Sequence, residues 1–378
     1  MNMNTDNCLT RLAALFRERS ADLSRLSVTA GFDGFVDEMI SVVQEREGLF
    51  QWRPVPDITT FGNLILKAAG HSSLREIIVH RADPGGCAVN MGDGLIALGV
   101  PFDCFATLGR PRHAAFDSFA AQCRSCHSWG KSPGRTLAFE FNVGKLMFSA
   151  VTQLAEFNTD LLNETLADGS YLRSCTEAKV IALTDWTLYP HMTSCWKKLQ
   201  QDVYSQLKQR PYFFLDLVDP SSRSKEDIFS MLQALQGFEP FGPTVLGLNC
   251  TEGNRVAEAL QLSVVSQEIQ AAKEQACAIR SKLGISQVVI HGVKFAASAS
   301  AEGSWAVDGP FCAAPKKSTG AGDRFNAGYL AGLMLDFSAE QRLLLGCACS
   351  GFFVREARSA TPNEMADFID LWAQNKLQ

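Results

Sequence analysis

Apolar positions along this chain follow two rhythms. From about residue 86 onward, short apolar runs alternate with stretches whose apolar residues recur every three or four positions. The runs at 102–108, 179–183, 212–218, 244–248 and 287–291 have strand length, and the stretches between them predict helices over 113–124, 191–208, 225–236 and 253–283. Strands alternating with helices predict an α/β fold: a three-layer, doubly wound, mostly parallel sheet with helices on both faces. Residues 135–150 read as a hairpin turning at Asn142 to Gly144, and 295–307 as a second. Helices over 323–335, 338–355 and 363–376 close the chain. Near the N-terminus, Leu9, Leu12, Phe16 and Leu23 recur at helical spacing. Residues 1–26 therefore read as an amphipathic helical extension, and 27–378 as one domain. Residues 38–84 fit the alternation poorly. With Trp52, Pro54, Pro56 and a helix-like 58–69, they read as an insertion or lid, and 135–150 as its second part.

Composition narrows the class. Of 378 residues, 46% are hydrophobic and 20% charged, which is enough apolar material for a large core. The formal net charge is -5 and no long basic run exists, so neither nucleic acid nor a membrane surface is the expected partner. No stretch approaches the roughly 20 apolar residues of a membrane span. Arg11, Arg17, Glu18 and Arg19 break up the N-terminal segment, which lacks a signal-peptide core. Twelve cysteines without that signal read as reduced thiols, which predicts a cytoplasmic location.

The sharpest chemical signal is STGAGDRFNAGYLAGL at 318–333. Gly320 and Gly322 leave backbone N–H groups open where a helix begins, which makes a phosphate or oxyanion cradle. Asp323 sits in the first helical turn, placed to take a proton from a hydroxyl; capping the helix is the other reading. In DPGGCAVNMGDGLIALG, 83–99, Gly85 and Gly86 allow close backbone approach to a ligand, and Asn90 offers both a donor and an acceptor. In LGLNCTEGN, 246–254, Asn249 and Glu252 meet at a strand end, where their oxygens suit Mg²⁺ or its waters; a capping arrangement is the alternative. In VTAGFDGFVDEMI, 28–40, a strand ending at Gly31 delivers Asp33 and Asp37, carboxylates that suit polyol hydroxyls or simply face water.

Four patterns are false leads. Gly92, Gly94 and Ala97 match the dinucleotide fingerprint but lack the strand it needs immediately before it. Cys123, Cys126 and His127 spell the haem-attachment pattern without an export signal, and read as cysteines and a histidine on a helix. Nothing brings Cys123 and Cys126 to Cys347 and Cys349 as a zinc site. Gly130, Lys131 and Ser132 resemble a P-loop end, but Ser125 stands where its first glycine belongs.

GGCAVN and GAGDRFNAGY, about 235 residues apart, resemble the two signature regions of the ribokinase-like (PfkB-type) carbohydrate kinase family. Asn249 to Glu252 is similar to its N-x-x-E motif, and VVIHGVK to its strand and turn beside the nucleotide. The resemblance implies an ATP-dependent kinase that phosphorylates a hydroxyl of a sugar or sugar-like molecule. Asp323 resembles the catalytic base, and Gly320, Ala321 and Gly322 the anion hole. Asn249 and Glu252 resemble the residues that organise Mg²⁺ around ATP. Gly85, Gly86 and Asn90 resemble the sugar-binding turn, Asp37 or its rival Asp33 the N-terminal substrate aspartate, and Gly292 the place where the nucleotide passes. A homodimer is compatible with this resemblance. FFLDLVDP, 213–220, is similar to a segment of adenosine kinases, which leaves a nucleoside kinase as the alternative. A catalytically weak sugar sensor is the other. Three departures stand out: Lys317 and Ser318 replace a usual Asp-Thr, Pro111 replaces an aspartate, and Phe295 replaces a glycine. Lys317 then becomes a candidate substitute for an activating monovalent cation. Arg110, Arg112, Lys131 and Arg135 become candidates for a substrate phosphate or a solvated surface.

Overall fold

The computed structural model describes residues 3–377, so positions 1, 2 and 378 of the two expected segments lie outside it. In chain order the first strands are β1 (Ser27–Gly31), β2 (Phe35–Arg46), β3 (Trp52–Pro54), β4 (Ile77–Gly85), β5 (Phe102–Ala106), β6 (Ser125–Ser128), β7 (Gly134–Glu140) and β8 (Lys145–Ala150). There follow β9 (Ala178–Leu183), β10 (Tyr212–Asp216), β11 (Thr244–Asn249), β12 (Gln287–His291), β13 (Phe295–Ser300) and β14 (Gly303–Asp308). The large sheet runs β14-β13-β12-β11-β10-β9-β1-β5-β6, parallel from β12 to β6, with β13 and β14 joined antiparallel. Its order turns at β1, which pairs β9 on one side and β5 on the other.

Side chains alternate across this sheet because successive Cβ atoms point to opposite faces. Val28, Val180, Ala182, Phe214, Val245 and Val289 join one core, with helices Cys87–Ala97, Ala321–Met334, Ala339–Glu356 and Pro362–Ala373. Ile181, Leu183, Leu215, Leu246, Val288 and Ile290 join a second core under helices Met192–Asp202, Lys225–Gln236, Cys250–Ala259 and Ile269–Leu283. Two cores on two faces are the expected three layers. The N-terminal helix Met3–Arg19 adds Leu9, Leu12 and Phe16, all fully buried, to the first core. Arg17 ties it to Asp367 and Asp370 of the last helix at 2.8 and 2.6 Å. No helix among the described residues is long and apolar enough to cross a membrane.

The segments that broke the alternation form the second sheet, ordered β3-β2-β7-β8 with β4 on the other edge of β2. The expected hairpins are present as β7–β8 and β13–β14. Four expectations need correction. Asp37 does not follow β1 in a loop but lies inside β2, whose alternation is masked by a register shift between Met39 and Ile40. The helix expected over 253–283 is two, because Gln261 takes a left-handed conformation and the Val264–Val265 stretch cannot continue the turn. The Val265 backbone instead bonds the Asn254 side chain at both its N–H and its carbonyl. The helix over 113–124 shrinks to a short turn and Asp117–Gln122. Cys126 and His127 lie on β6, not on a helix, with the His127 ring stacked on Phe105 at 4.5 Å.

Candidate active site

The site lies at the C-terminal ends of β1, β9, β10, β11 and β12, where an open α/β sheet leaves a crevice. Gly320 precedes the helix Ala321–Met334 with φ 86°, a conformation a side chain resists. The N–H groups of the first helical turn have no intrahelical acceptor. The Ala321 N–H turns back to the Ser318 carbonyl at 3.1 Å, which leaves the Gly322 and Asp323 N–H groups, with the helix dipole behind them, in the form of an anion hole. Asp323, in the same turn, is almost completely buried. Burial, and then the neighbouring Asp216, pushes its carboxyl up to about 7, against the lowering effect of Arg324.

The glycine turn 85–86 comes to the same place. A β-carbon on Gly320 would stand 3.4 Å from the Asn90 amide, so the second and the last helical motifs touch. A β-carbon on Gly85 would meet the Asp37 carboxylate at 2.5 Å. Asp37 is half-buried on β2, paired in register with Asp83 of β4 and Thr136 of β7. Burial raises its pKa, which Thr136, Lys145 and Lys317 offset. Asp33 is different. It is buried, and its oxygens accept the N–H groups of Cys87 and Ala88 and the Thr184 hydroxyl, the last at 2.5 Å. It is tied to the protein, while Asp37 lies against Gly85 on the small sheet.

Asn249 and Glu252 form a complete capping box. The Asn249 side chain accepts from Thr251 and Glu252 N–H, and Glu252 accepts from the Asn249 N–H at 2.8 Å and its amide at 2.7 Å. Glu252 is buried, and burial with Asp216 nearby pushes it up to about 8. Asn249, Gly292, Ala321 and Gly322 line one cavity of about 400 Å³, which also takes in His291, Phe295, Gly309 and Val354. The structure thus brings Gly320 to Asn90, Gly85 to Asp37, and Asn249 and Gly292 to Ala321 and Gly322.

A family model for prokaryotic ketohexokinase matches residues 5–372. The chain belongs to the prokaryotic ketohexokinase family. The chain is similar to a ketohexokinase of Haloferax volcanii, 24% identical over 346 residues and covering 90% of each chain. Among solved structures, Escherichia coli phosphofructokinase-2 in complex with substrates and products aligns with TM-score 0.60 at 14% identity, covering 92% of this chain and 99% of that one. An Agrobacterium tumefaciens carbohydrate kinase aligns with TM-score 0.62 at 14% identity, over 92% and 97%. Adenosine kinase from Sinorhizobium meliloti shares the fold at 12% identity and TM-score 0.59, over 93% and 100%. The architecture is ribokinase-like, and the ketohexokinase-family chain is a carbohydrate kinase, a phosphotransferase with an alcohol acceptor.

Several residues of this ketohexokinase-family site were not singled out from sequence. Asp216 ends β10, and its carboxylate lies with the Cys87 sulfur and the Asp323 carboxylate, their ligand atoms all within 4.8 Å of one another. Asn326 holds Asp216 by its amide at 2.6 Å, and burial pushes Asp216 up to about 6. The clue was a lone aspartate closing an apolar strand. Arg324 is the second such residue. Of the basic residues considered for a substrate phosphate, Arg110, Arg112 and Arg135 pair with Glu164, Asp117 and Glu38. Gly92, Gly94 and Ala97 lie within the helix Cys87–Ala97, where Gly92 packs on Phe102 and Gly94 on Ala327.

Proposed function

We propose that this chain transfers the γ-phosphoryl group of ATP to a hydroxyl of an unphosphorylated ketohexose. The observation that carries this is the meeting of the two glycine motifs: Gly320 against Asn90, Gly85 against Asp37, and Cys87 between them beside the Asp323 carboxylate, with Ala321 and Gly322 lining the 400 Å³ cavity. Asp37 and Asn90 would bind the sugar hydroxyls and hold one of them toward Asp323. With a pKa near 7, Asp323 is substantially ionised at neutral pH and takes that hydroxyl's proton as the phosphoryl group arrives. N–H groups of the Gly320–Gly322 turn would hold the equatorial phosphoryl oxygens, the positioning and charge stabilisation on which this reaction depends. ATP would lie along Asn249, Gly292 and Gly322.

Asn249 and Glu252 fit a role toward Mg²⁺ through its waters. They are hard oxygen donors, and Glu252 keeps a raised pKa in a cluster of acids that a cation would relieve. When bound, the ion would neutralise charge on the ATP phosphates. Asp33 would act by fixing the glycine turn rather than by touching sugar. The small sheet, which carries Asp37, would close over the sugar and exclude water. The paired state of Arg110, Arg112 and Arg135 supports a free sugar over a sugar phosphate. Twelve free thiols support a reducing compartment, the cytoplasm. An assay of ADP release with fructose, fructose phosphates, glucose and adenosine tests the reading; no turnover with any sugar removes it.

A further inference from the structure

Arg324 follows Asp323 directly in the first turns of the helix Ala321–Met334. Its side chain is only 7% exposed. Nη2 donates to Asp93 at 2.6 Å and Nε to Ser359 at 3.3 Å, while Ser359 in turn donates to the same Asp93 oxygen at 2.6 Å. The guanidinium lies on the Phe353 ring, 4.4 Å from its centroid. The third nitrogen, Nη1, is buried without a hydrogen-bond partner. It points at the anion hole: a β-carbon on Gly320 would stand 2.9 Å from it, beside the Asn90 amide. An unsatisfied buried donor is costly, and this one is spent where an anion is to be held. One ion pair anchors the guanidinium, and the remaining nitrogen is turned toward the glycine turn.

Building on the kinase reading, we propose that Arg324 is a positioning residue of this active site, a fixed cation behind Gly320 that draws anions to the phosphoryl position and keeps the Asp323 carboxyl ionised. Reaction at neutral pH needs that second effect. Asp323 faces Asp216 at the end of β10, Asp33 in the loop after β1, Asp185 after β9, Glu252 on the helix Cys250–Ala259, and the Cys87 thiol. Burial, then Asp216 and Asp33, hold the proton on Asp323, and Arg324 and the Cys87 thiol oppose them. Arg324 itself faces Asp93 from the helix Cys87–Ala97, Ser359 ahead of the last helix, and Lys317, whose ammonium lies 5.7 Å from the same Phe353 ring. An opposite charge within about 4–6 Å lowers a carboxyl pKa by about one to three pH units.

The test is the pH dependence of kcat in wild type, D93N, R324K and the double variant R324Q/D93N. The double variant removes both ion-pair partners together and leaves neither charge unpaired. The acid limb of kcat is expected to move up by about one pH unit in R324Q/D93N, with turnover near pH 6.5 down about eightfold and KM for sugar little changed. In R324K and D93N, which keep a cation behind Gly320, the limb should stay within about 0.3 pH unit of wild type. Calorimetric binding of inorganic phosphate reads the same cation without turnover, and should weaken about tenfold in the double variant. An unmoved limb and unchanged phosphate affinity in R324Q/D93N overturn the proposal. So does a limb that moves as far in R324K or in D93N alone. A wild-type protein that phosphorylates no sugar, while phosphate binding still falls in the double variant, retires the kinase reading and leaves the role of Arg324 standing.

Discussion

The Asp33 carboxylate accepts the backbone N–H of Ala88 at 2.9 Å and thereby ties the loop after β1 to the first turn of the helix Cys87–Ala97. Asp37, four residues on, lies under Gly85 and, in the proposed reading, is offered to the sugar. Two nearby aspartates thus divide into one that builds the site and one that is offered to the ligand. Asp33→Ala should destabilise the fold by about 1–3 kcal/mol, the cost of leaving buried donors unsatisfied. Asp37→Asn should leave the melting temperature nearly unchanged and raise KM for the sugar about tenfold or more, a typical loss for a charge-assisted hydrogen bond. Melting curves and initial rates on both variants check this; the opposite assignment of effects contradicts it.

Asp323→Asn should retain the fold and nucleotide binding while cutting kcat by at least about 10²-fold. Nucleotide affinity is best measured by calorimetry, separately from turnover. Near-normal turnover would leave Asp323 as a helix cap only.

Acid cluster and stability are linked with an unusual sign. Asp216, Asp323 and Glu252 hold protons with pKa values near 6, 7 and 8, above the roughly 4 of an unfolded carboxyl. Between about pH 4 and 8 these groups bind more protons folded than unfolded. Their contribution to stability is therefore present at the acid end and is lost as pH rises through the folded values. The melting temperature of the ligand-free protein should fall from pH 6 to pH 8.5. Asp216→Asn should flatten that fall, and a curve that instead rises across this range contradicts the account.

Much of this site was legible in the chain because its motifs are local. GAGD and GGxxxN each place glycines and a polar residue within one turn, and apolar strands reported the large sheet. The small sheet was not legible. The β4 strand is exposed along most of its length and carries Pro84, so it shows no alternation, and β2 shifts register at Met39. Asp216, Asp185, Asp33, Glu252 and Asp323 come from five separate segments, and only folding reveals that they titrate against one another. Arg324 looked like an ordinary helical arginine, since the sequence does not show that Asp93 and Ser359 surround it.

Lys317 stands three residues before Gly320, exposed, beside the Phe353 ring that also carries Arg324. Arg324 behind Gly320, with Lys317 over the same ring, predicts that exchanging K⁺ for a large organic cation at constant ionic strength leaves turnover unchanged. Lys317→Asp should become slow or K⁺-responsive. Strong K⁺ activation of the unmodified protein contradicts this.

The central claim is that the crevice holds a free ketohexose with one hydroxyl aimed at Asp323. The most direct measurement is the specificity constant for ATP-dependent phosphorylation across fructose, fructose 1-phosphate, fructose 6-phosphate, glucose and adenosine, with the product identified by phosphorus NMR. The highest kcat/KM is expected for fructose, with a phosphate monoester as product and loss of that product in Asp323→Asn. Preference for adenosine, or for a sugar phosphate by a wide margin, would contradict it.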